Sequence, residues 1–344
     1  LTVLLIATSA MFIETMIRNL SNSTRVSSTM VLYQSTIGHS WCKINYFIRS
    51  LSSFQPQYNS GLSGKGKSST KLRASSVPEV HGEVLFGHHP TILALKARKR
   101  KDFHCVYAED KYKTRENRSS AVEHIFELAS EQNIPVQSVT RNVLDHLSGN
   151  RPHQGVCMDV GKLQVPEWNN QLSLTRESSV PLWLLLHNVQ DPMNFGAILR
   201  TAFYLGVDQV VLPSTDSCKL SPVVSKASAG ALEMINLVKL SKSTTELEFC
   251  KWWQSQSGIV LGTGLEESDR SVLLERFTMT CPTVVILGNE GSGLGQELEA
   301  VCDQILTIPS HESTNLTDKV DSLNVSVAAG ILLHWIKTSS MNRR

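Results

Sequence analysis

Asn194 and Arg200 stand six residues apart with Gly196 between them. A guanidinium is a planar fork of donors that matches phosphate or carboxylate, and a nearby amide can orient it. Three other polar groupings accompany this pair. Gly288-Asn289-Glu290-Gly291-Ser292-Gly293-Leu294-Gly295 is a glycine-rich run, and Ser322-Leu323-Asn324-Val325-Ser326 opens a small-sided apolar stretch. Lys226-Ala227-Ser228-Ala229-Gly230-Ala231 lies upstream of both. The glycine-rich run is not a nucleotide-hydrolase loop, because Gly293-Leu294-Gly295 is not followed by Lys-Ser/Thr. Nor is it the dinucleotide fingerprint, since Gly291, Gly293 and Gly295 simply alternate. Taken singly, each grouping also reads as a turn, and Arg200 as a surface arginine.

The surrounding pattern says what must position these groups. An apolar β-type run at 183–186 stops at Asn188, Asp191-Pro192 and Asn194. Ile198, Leu199, Ala202, Phe203 and Leu205 then recur at helical spacing. Gly206 closes that helix, and Val207, Val210, Val211 and Leu212 read as the next buried strand. This is a βαβ unit, with Asn194, Gly196 and Arg200 at the handover from strand to helix, where open α/β sheets bind ligands. Residues 284–287 and 304–308 read as further strands, with a helix through Val301 between them. Asp321 or Ser322 can cap the last helix. Its Ser326, Ala328, Ala329 and Gly330 admit a closely packed neighbour.

Together the motifs N-x-G-x-x-x-R (194–200), L-G-N-E-G-x-G-L (287–294) and S-L-N-V-S-x-A-A-G (322–330), with the Lys226 segment, resemble the TrmH branch of the SPOUT methyltransferases. The resemblance covers roughly 180–340. It implies an α/β fold with a deep trefoil knot that clasps S-adenosylmethionine, acting as a homodimer without metal. It further implies 2′-O-methylation of a ribose, that of a guanosine in mitochondrial large-subunit rRNA. Carried onto this chain, it makes Arg200 the central catalytic residue, with Asn194 orienting it or the phosphate. Ser322 and Asn324 would line the target ribose, and Glu290 would hold the knot loops or pair with Arg200. Gly288, Ile308 and Leu323, with Asn289 and Gly291, would contact the donor. Two other readings stand beside this one: a catalytically inactive RNA-binding assembly factor, and a doubly wound dinucleotide-dependent oxidoreductase. Residues 310–321 form a long polar insertion for the family, and His187 stands where an acid is common.

Composition divides the 344 residues unevenly. Residues 1–78 hold sixteen serines and eight Lys/Arg, with Glu14 as their only acid. That is the composition of an organellar transit segment leading into a disordered linker. Beyond it remain 25 of the 33 basic and 30 of the 31 acidic residues, a net of −5. Overall charge therefore does not argue for RNA. A local run does: Arg98, Arg100 and Lys101, within 96–101, can supply phosphate contacts. The alternative is a solvated helix end complementing the macrodipole.

Residues 79–163 alternate short strands and helices and resemble the small ribosomal-protein-like RNA-binding domain that precedes many TrmH catalytic domains. Residues 164–180 are expected to be a linker and 181–344 the methyltransferase domain. Seven scattered cysteines without a C-x-x-C pair argue against structural zinc. His88-His89 before Pro90 reads as a loop, not a metal site. No apolar run reaches 18 residues, so no membrane span is expected. The tail predicts an address, the mitochondrial matrix. A reporter fused to residues 16–73 should enter mitochondria, and import of the whole chain that survives deletion of residues 1–78 would refute this.

Overall fold

The computed structural model describes residues 77–169, 180–264, 269–289, 293–309 and 322–341. The expectations attached to the tail through residue 76, to Glu290 and Gly291, and to the 310–321 insertion lie outside the described residues. Two sheets share the unit that contains them.

The first sheet joins β1 (Glu83–Phe86), β2 (Phe103–Glu109), β3 (Val136–Val139) and β4 (Val156–Val160) in the order β1-β4-β2-β3. β4 lies between β1 and β2, antiparallel to both, and is buried throughout. Helices α1 (His88–Ala97), α2 (Ser120–Glu131) and α3 (Arg141–Leu147) belong to this sheet. Leu95, Ile125 and Met158 are buried completely within its core. His88 and His89, expected in a loop, instead form the first turn of α1. Pro90 is tolerated there because first-turn N–H groups have no intrahelical acceptor, and Thr91 Oγ1 donates to Gly87 O at 2.9 Å.

The second sheet is parallel throughout, in the order β7-β6-β5-β10-β8-β11-β9. Its strands are β5 (Leu182–Leu186), β6 (Gln209–Leu212), β7 (Leu237–Lys239), β8 (Ile259–Thr263), β9 (Ser271–Leu273), β10 (Thr283–Leu287) and β11 (Gln304–Thr307). β5 and β10 are buried at every residue, as continuous apolar strands in a parallel sheet must be. Six helices follow the strands: α4 (Pro192–Tyr204), α5 (Pro222–Ala227), α6 (Ala231–Met234), α7 (Glu246–Ser255), α8 (Gln296–Val301) and α9 (Val325–Met341). One face is covered by Ile198, Leu199 and Ala202 of α4 with Leu332, Leu333 and Ile336 of α9. The other is covered by Phe249 and Trp253 of α7 with Leu298 of α8. Among the described residues no helix is long and apolar enough to cross a membrane.

The 164–180 segment is not a plain linker in its first part. Trp168 N donates to Lys239 O at 2.7 Å and Lys239 N to Pro166 O at 3.0 Å, which extends the β7 edge. The Trp168 ring stands edge-on to Phe249 and Trp252. An aromatic anchor and an open strand edge together give this stretch a fixed place. Residues 170–179 lie outside the described residues.

The two sheets are joined through a buried ion pair. Arg100 Nε and Nη2 donate to the two carboxylate oxygens of Glu233 at 2.8 and 2.9 Å. Arg100 Nη1 donates to Glu83 Oε2 at 3.0 Å and to Gly161 O at 2.9 Å, and Ser225 Oγ donates to Glu233 Oε1 at 2.8 Å. Burial alone would lower the guanidinium pKa, but Glu233 and Glu83 outweigh it and hold it above its ordinary value. Beside this pair, Lys99 Nζ donates to Met234 O at 2.6 Å and Ile235 O at 2.8 Å, closing the end of α6. Breaking a buried pair leaves an uncompensated charge, so Arg100→Met should cost about 3–5 kcal/mol in denaturant unfolding. Arg100→Met with Glu233→Leu should lose much less than that. A single-variant loss under about 1 kcal/mol would show that the pair does not join the modules.

Candidate active site

The site lies along the carboxyl edge of the parallel sheet. β5 runs into His187 and Asn188, and Asn188 adopts a left-handed φ of 52° that turns the chain toward α4. Asp191 Oδ2 accepts from Asn194 N at 2.8 Å and Pro192 occupies the first helical turn, so α4 is capped where Asn194 begins to project. Gly196, one turn before Arg200, is buried against α5. A Cβ there would stand 2.5 Å from Ala227 Cβ and 2.9 Å from Ser228 N. The glycine of the first motif and the alanine of the Lys226 segment are therefore two halves of one helix contact. Arg200 continues the same helix to an exposed position.

The expected site residues meet in part. Asn324 Nδ2 donates to Asn194 Oδ1 at 3.0 Å, which brings the first and third motifs together. Asn324 Oδ1 accepts from Ser326 N at 3.0 Å and from Ser326 Oγ at 2.6 Å. Asn324 is thus the cap of α9, and the expectation that Ser322 caps it is corrected. Ser322 lies exposed two residues earlier, too far upstream to reach the free amides of the first turn. From the second motif, Asn289 Nδ2 donates to Asn188 O at 3.1 Å, tying that loop to the turn before α4.

The donor-site residues are spread along the same edge. Gly288 and Ile308 follow β10 and β11, which flank β8. A Cβ on Gly288 would stand 2.6 Å from Gly293 O, because Asn289 and Gly293 exchange backbone hydrogen bonds of 3.3 and 3.0 Å and fold the loop back. This packing already requires the glycine. Ile308 is half-buried on the core, and Leu323 is exposed.

The basic run separates. Arg98 and Lys101 are exposed, with the Arg98 guanidinium 5.9 Å from the Phe103 ring centroid. Arg100 is corrected: at 3% exposure its guanidinium is committed to Glu233, Glu83 and Gly161, leaving it inaccessible to phosphate. Two partnerships escaped sequence reasoning. His187 Nδ1 lies 3.0 Å from both Glu246 oxygens, and this bond holds the imidazole above its ordinary pKa. Lys226 Nζ crosses to the first sheet and donates to Gln154 Oε1 at 2.8 Å. Both join residues 59 or more positions apart, so no local pattern signals them. Burial pushes Cys157 and Cys302 up to about 12, so neither supplies a thiolate. Among the described residues no group of three His, Cys, Asp or Glu is placed to hold a metal.

Residues 181–334 match the model of the SpoU rRNA methylase family, and residues 84–166 match that of the RNA 2′-O ribose methyltransferase substrate-binding family. The Homo sapiens rRNA methyltransferase 1, mitochondrial, is 39% identical over 270 residues, covering 76% of this chain and 74% of the human protein. The 23S rRNA (guanosine-2′-O-)-methyltransferase RlmB of Pseudomonas syringae pv. tomato is 33% identical over 256 residues, covering 73% of this chain and 93% of that protein. In fold, the SpoU methyltransferase AviRb of Streptomyces viridochromogenes superimposes with a TM-score of 0.58 at 20% identity, over 76% of this chain and 91% of that one. Matched across both modules, and at 39% identity over 76% of its length to the human protein, the chain belongs to the SpoU rRNA methylase family.

Proposed function

We propose that the chain transfers the methyl group of S-adenosylmethionine to a ribose 2′-oxygen, that of a guanosine in mitochondrial large-subunit rRNA. The observation that carries this reading is the 3.0 Å bond from Asn324 to Asn194, which draws the start of α9 to the start of α4, the helix that also carries Arg200. Family membership supports the reaction class. Relatives named for mitochondrial rRNA and for guanosine 2′-O-methylation support the substrate, and with the tail's composition they support the mitochondrial matrix as its location.

The edge of the sheet suits an adenosine-bearing sulfonium donor. Gly264 and Gly288 lie along it, packed against Ile305 and against Leu294 and the Gly293 carbonyl, and half-buried Ile308 adds apolar surface. Gly288, Asn289, Ile308 and Leu323, with Gly291, would hold the donor, which supplies the methyl group when bound. Methyl transfer to a hydroxyl is dominated by alignment, worth up to roughly 7–11 kcal/mol. Guanidinium groups stay protonated in proteins, so Arg200 acts as a clamp on the phosphate beside the target ribose. That phosphate or a water takes the proton. Asn194 and Asn324 fix the approach, Ser322 lines the ribose, and Glu290 ties the loops or pairs with Arg200. Arg98 and Lys101 remain the proposed phosphate contacts of the first module.

Two structural readings accompany this one. The strand order, with β10 inserted between the earlier β5 and β8, supports a trefoil-knotted chain. Val327, Ile331 and Trp335 of α9 recur at one-turn spacing and stay exposed, as does Tyr204 of α4. This apolar stripe supports a homodimer formed by a second copy. Sedimentation should give twice the chain mass, and Ile331→Glu should halve it. A monomeric wild-type chain would overturn the dimer.

The deciding measurement is single-turnover transfer of labelled methyl to mitochondrial large-subunit rRNA, with the product mapped to a ribose 2′-oxygen. Arg200→Ala should slow transfer on the order of 10²-fold or more while donor affinity holds. Arg200→Lys should fail as well, because a point charge does not reproduce a planar fork. RNA binding without any transfer would favour an assembly factor. Nicotinamide binding in place of S-adenosylmethionine would overturn the reading altogether.

A further inference from the structure

The turn after β5 is held from several sides. Asn188 keeps a φ of 52°, a left-handed conformation that a residue with a Cβ adopts only when its surroundings impose it. Asn289 Nδ2 donates to its carbonyl at 3.1 Å, and Gln190 Nε2 donates to its Oδ1 at 2.7 Å. The preceding His187 N donates to Leu287 O at 2.9 Å, and the following Val189 O accepts from Cys218 N at 3.1 Å.

One more hold comes from the His187 ring. Side chains alternate along β5, with Leu184 and Leu186 packed in the core under α4 and Trp183 and Leu185 in that under α7. His187 continues the second row, and its Nδ1 lies 3.0 Å from both carboxylate oxygens of Glu246, the first residue of α7. Both side chains are partly buried. Glu246 is not what starts its helix. Thr245 Oγ1 accepts from Glu248 N at 3.1 Å and Glu248 Oε2 accepts from Thr245 N at 2.7 Å, a complete capping box. The Glu246 carboxylate is thereby left to meet the histidine across the edge of the sheet.

We propose that His187 is a positioning residue for methyl transfer: its ion pair with Glu246 fixes the Asn188 turn and, through Asn289, the loop that receives S-adenosylmethionine. The inference rests on the donor reading above and deepens it. Asn188 is where two motifs join, because its carbonyl holds Asn289 of the second and Asp191, three residues on, caps the helix of the first. A turn anchored at α7 cannot relax without moving Asn289.

Charge decides how firmly the anchor holds. The charged groups that act on the ring are Glu246 from α7 and Asp216 from the loop after β6, both acids, while β10 meets the residue through the Leu287 carbonyl. The bond to Glu246 raises the imidazole pKa, burial opposes it, and Asp216 adds to the rise. The charged pair is therefore complete below the ordinary histidine range and is lost as pH rises through the higher folded value. An acid in place of His187 would instead face two carboxylates of its own sign.

The test is calorimetry of S-adenosylmethionine binding to the full chain, from about pH 6 to about pH 9, with His187→Gln and Glu246→Gln. Each variant is compared with wild type at the same pH, so the titration of the donor's own amino group cancels. Near the acid end each variant should bind the donor about threefold to fivefold more weakly than wild type. Towards the alkaline end that ratio should close to unity. Affinity for transcribed mitochondrial large-subunit rRNA should change less, since Arg98 and Lys101 belong to the first module. Wild-type donor affinity in both variants would overturn the proposal. So would a loss that is equal at every pH, which would make the pair ordinary packing. Equal losses of donor and RNA affinity with a lowered melting temperature would also overturn it, as general destabilisation of α7. A wild-type chain that binds no S-adenosylmethionine at any pH would instead defeat the function proposed above, and this inference with it.

Discussion

The bidentate pair between Arg100 and Glu233 is the contact on which the arrangement of this molecule turns. Glu233 lies in α6, and α5, just before it, ends with Lys226 and Ala227, followed by Ser228. Ala227 in turn seats α4 through Gly196, and α4 carries Asn194 and Arg200. A single buried carboxylate therefore fixes the first module against the α5–α6 pair on which the helix carrying Asn194 and Arg200 is seated. Buried ion pairs are weak sources of net stability compared with apolar packing. What this one supplies is register, because a fork on a carboxylate tolerates little rotation.

The same geometry explains why the sequence groupings occur together. The Lys226 segment is not a ligand loop in itself. Its lysine reaches the first module, its alanine fills the space left by Gly196, and Ser228 Oγ accepts from Leu232 N to start the next turn. Asn324 likewise has two tasks, capping α9 with one side-chain atom and reaching Asn194 with the other. Residues with such double duty tie helix geometry to site geometry, so neither shifts alone.

Much of this was legible from spacing. The βαβ unit around Asn194, the strands before the glycine run and before the 310–321 insertion, and the alternating elements of 79–163 all follow from apolar periodicity and turn residues. The meeting of Asn194 with Asn324 followed only from the family resemblance, since 130 residues separate them. The misreadings of Arg100 and Trp168 share one cause, distant partners, and that of His88 and His89 is local. Arg100 looked like its neighbours Arg98 and Lys101, because a basic run carries no mark of which member will find a buried acid 133 residues away. His88 and His89 looked like loop because Pro90 masks a helix start, and Trp168 looked like linker because its anchors, Phe249 and Trp252, lie far along the chain. Periodicity reports the face an element buries; it is silent on partners brought by topology.

The place of β10 carries a consequence for synthesis. β5 is fully apolar and pairs with β6 on one side as soon as both have emerged, but its other edge waits for β10, nearly a hundred residues later. During that interval a hydrophobic strand presents unpaired amides and carbonyls, the hallmark of an aggregation-prone edge. The sheet closes only when the late strand slides between β5 and β8, a long-range pairing of the kind that slows folding. For a nascent chain this makes completion of the active edge and loss of chaperone-sensitive surface a single event, since β10 ends at the glycine loop.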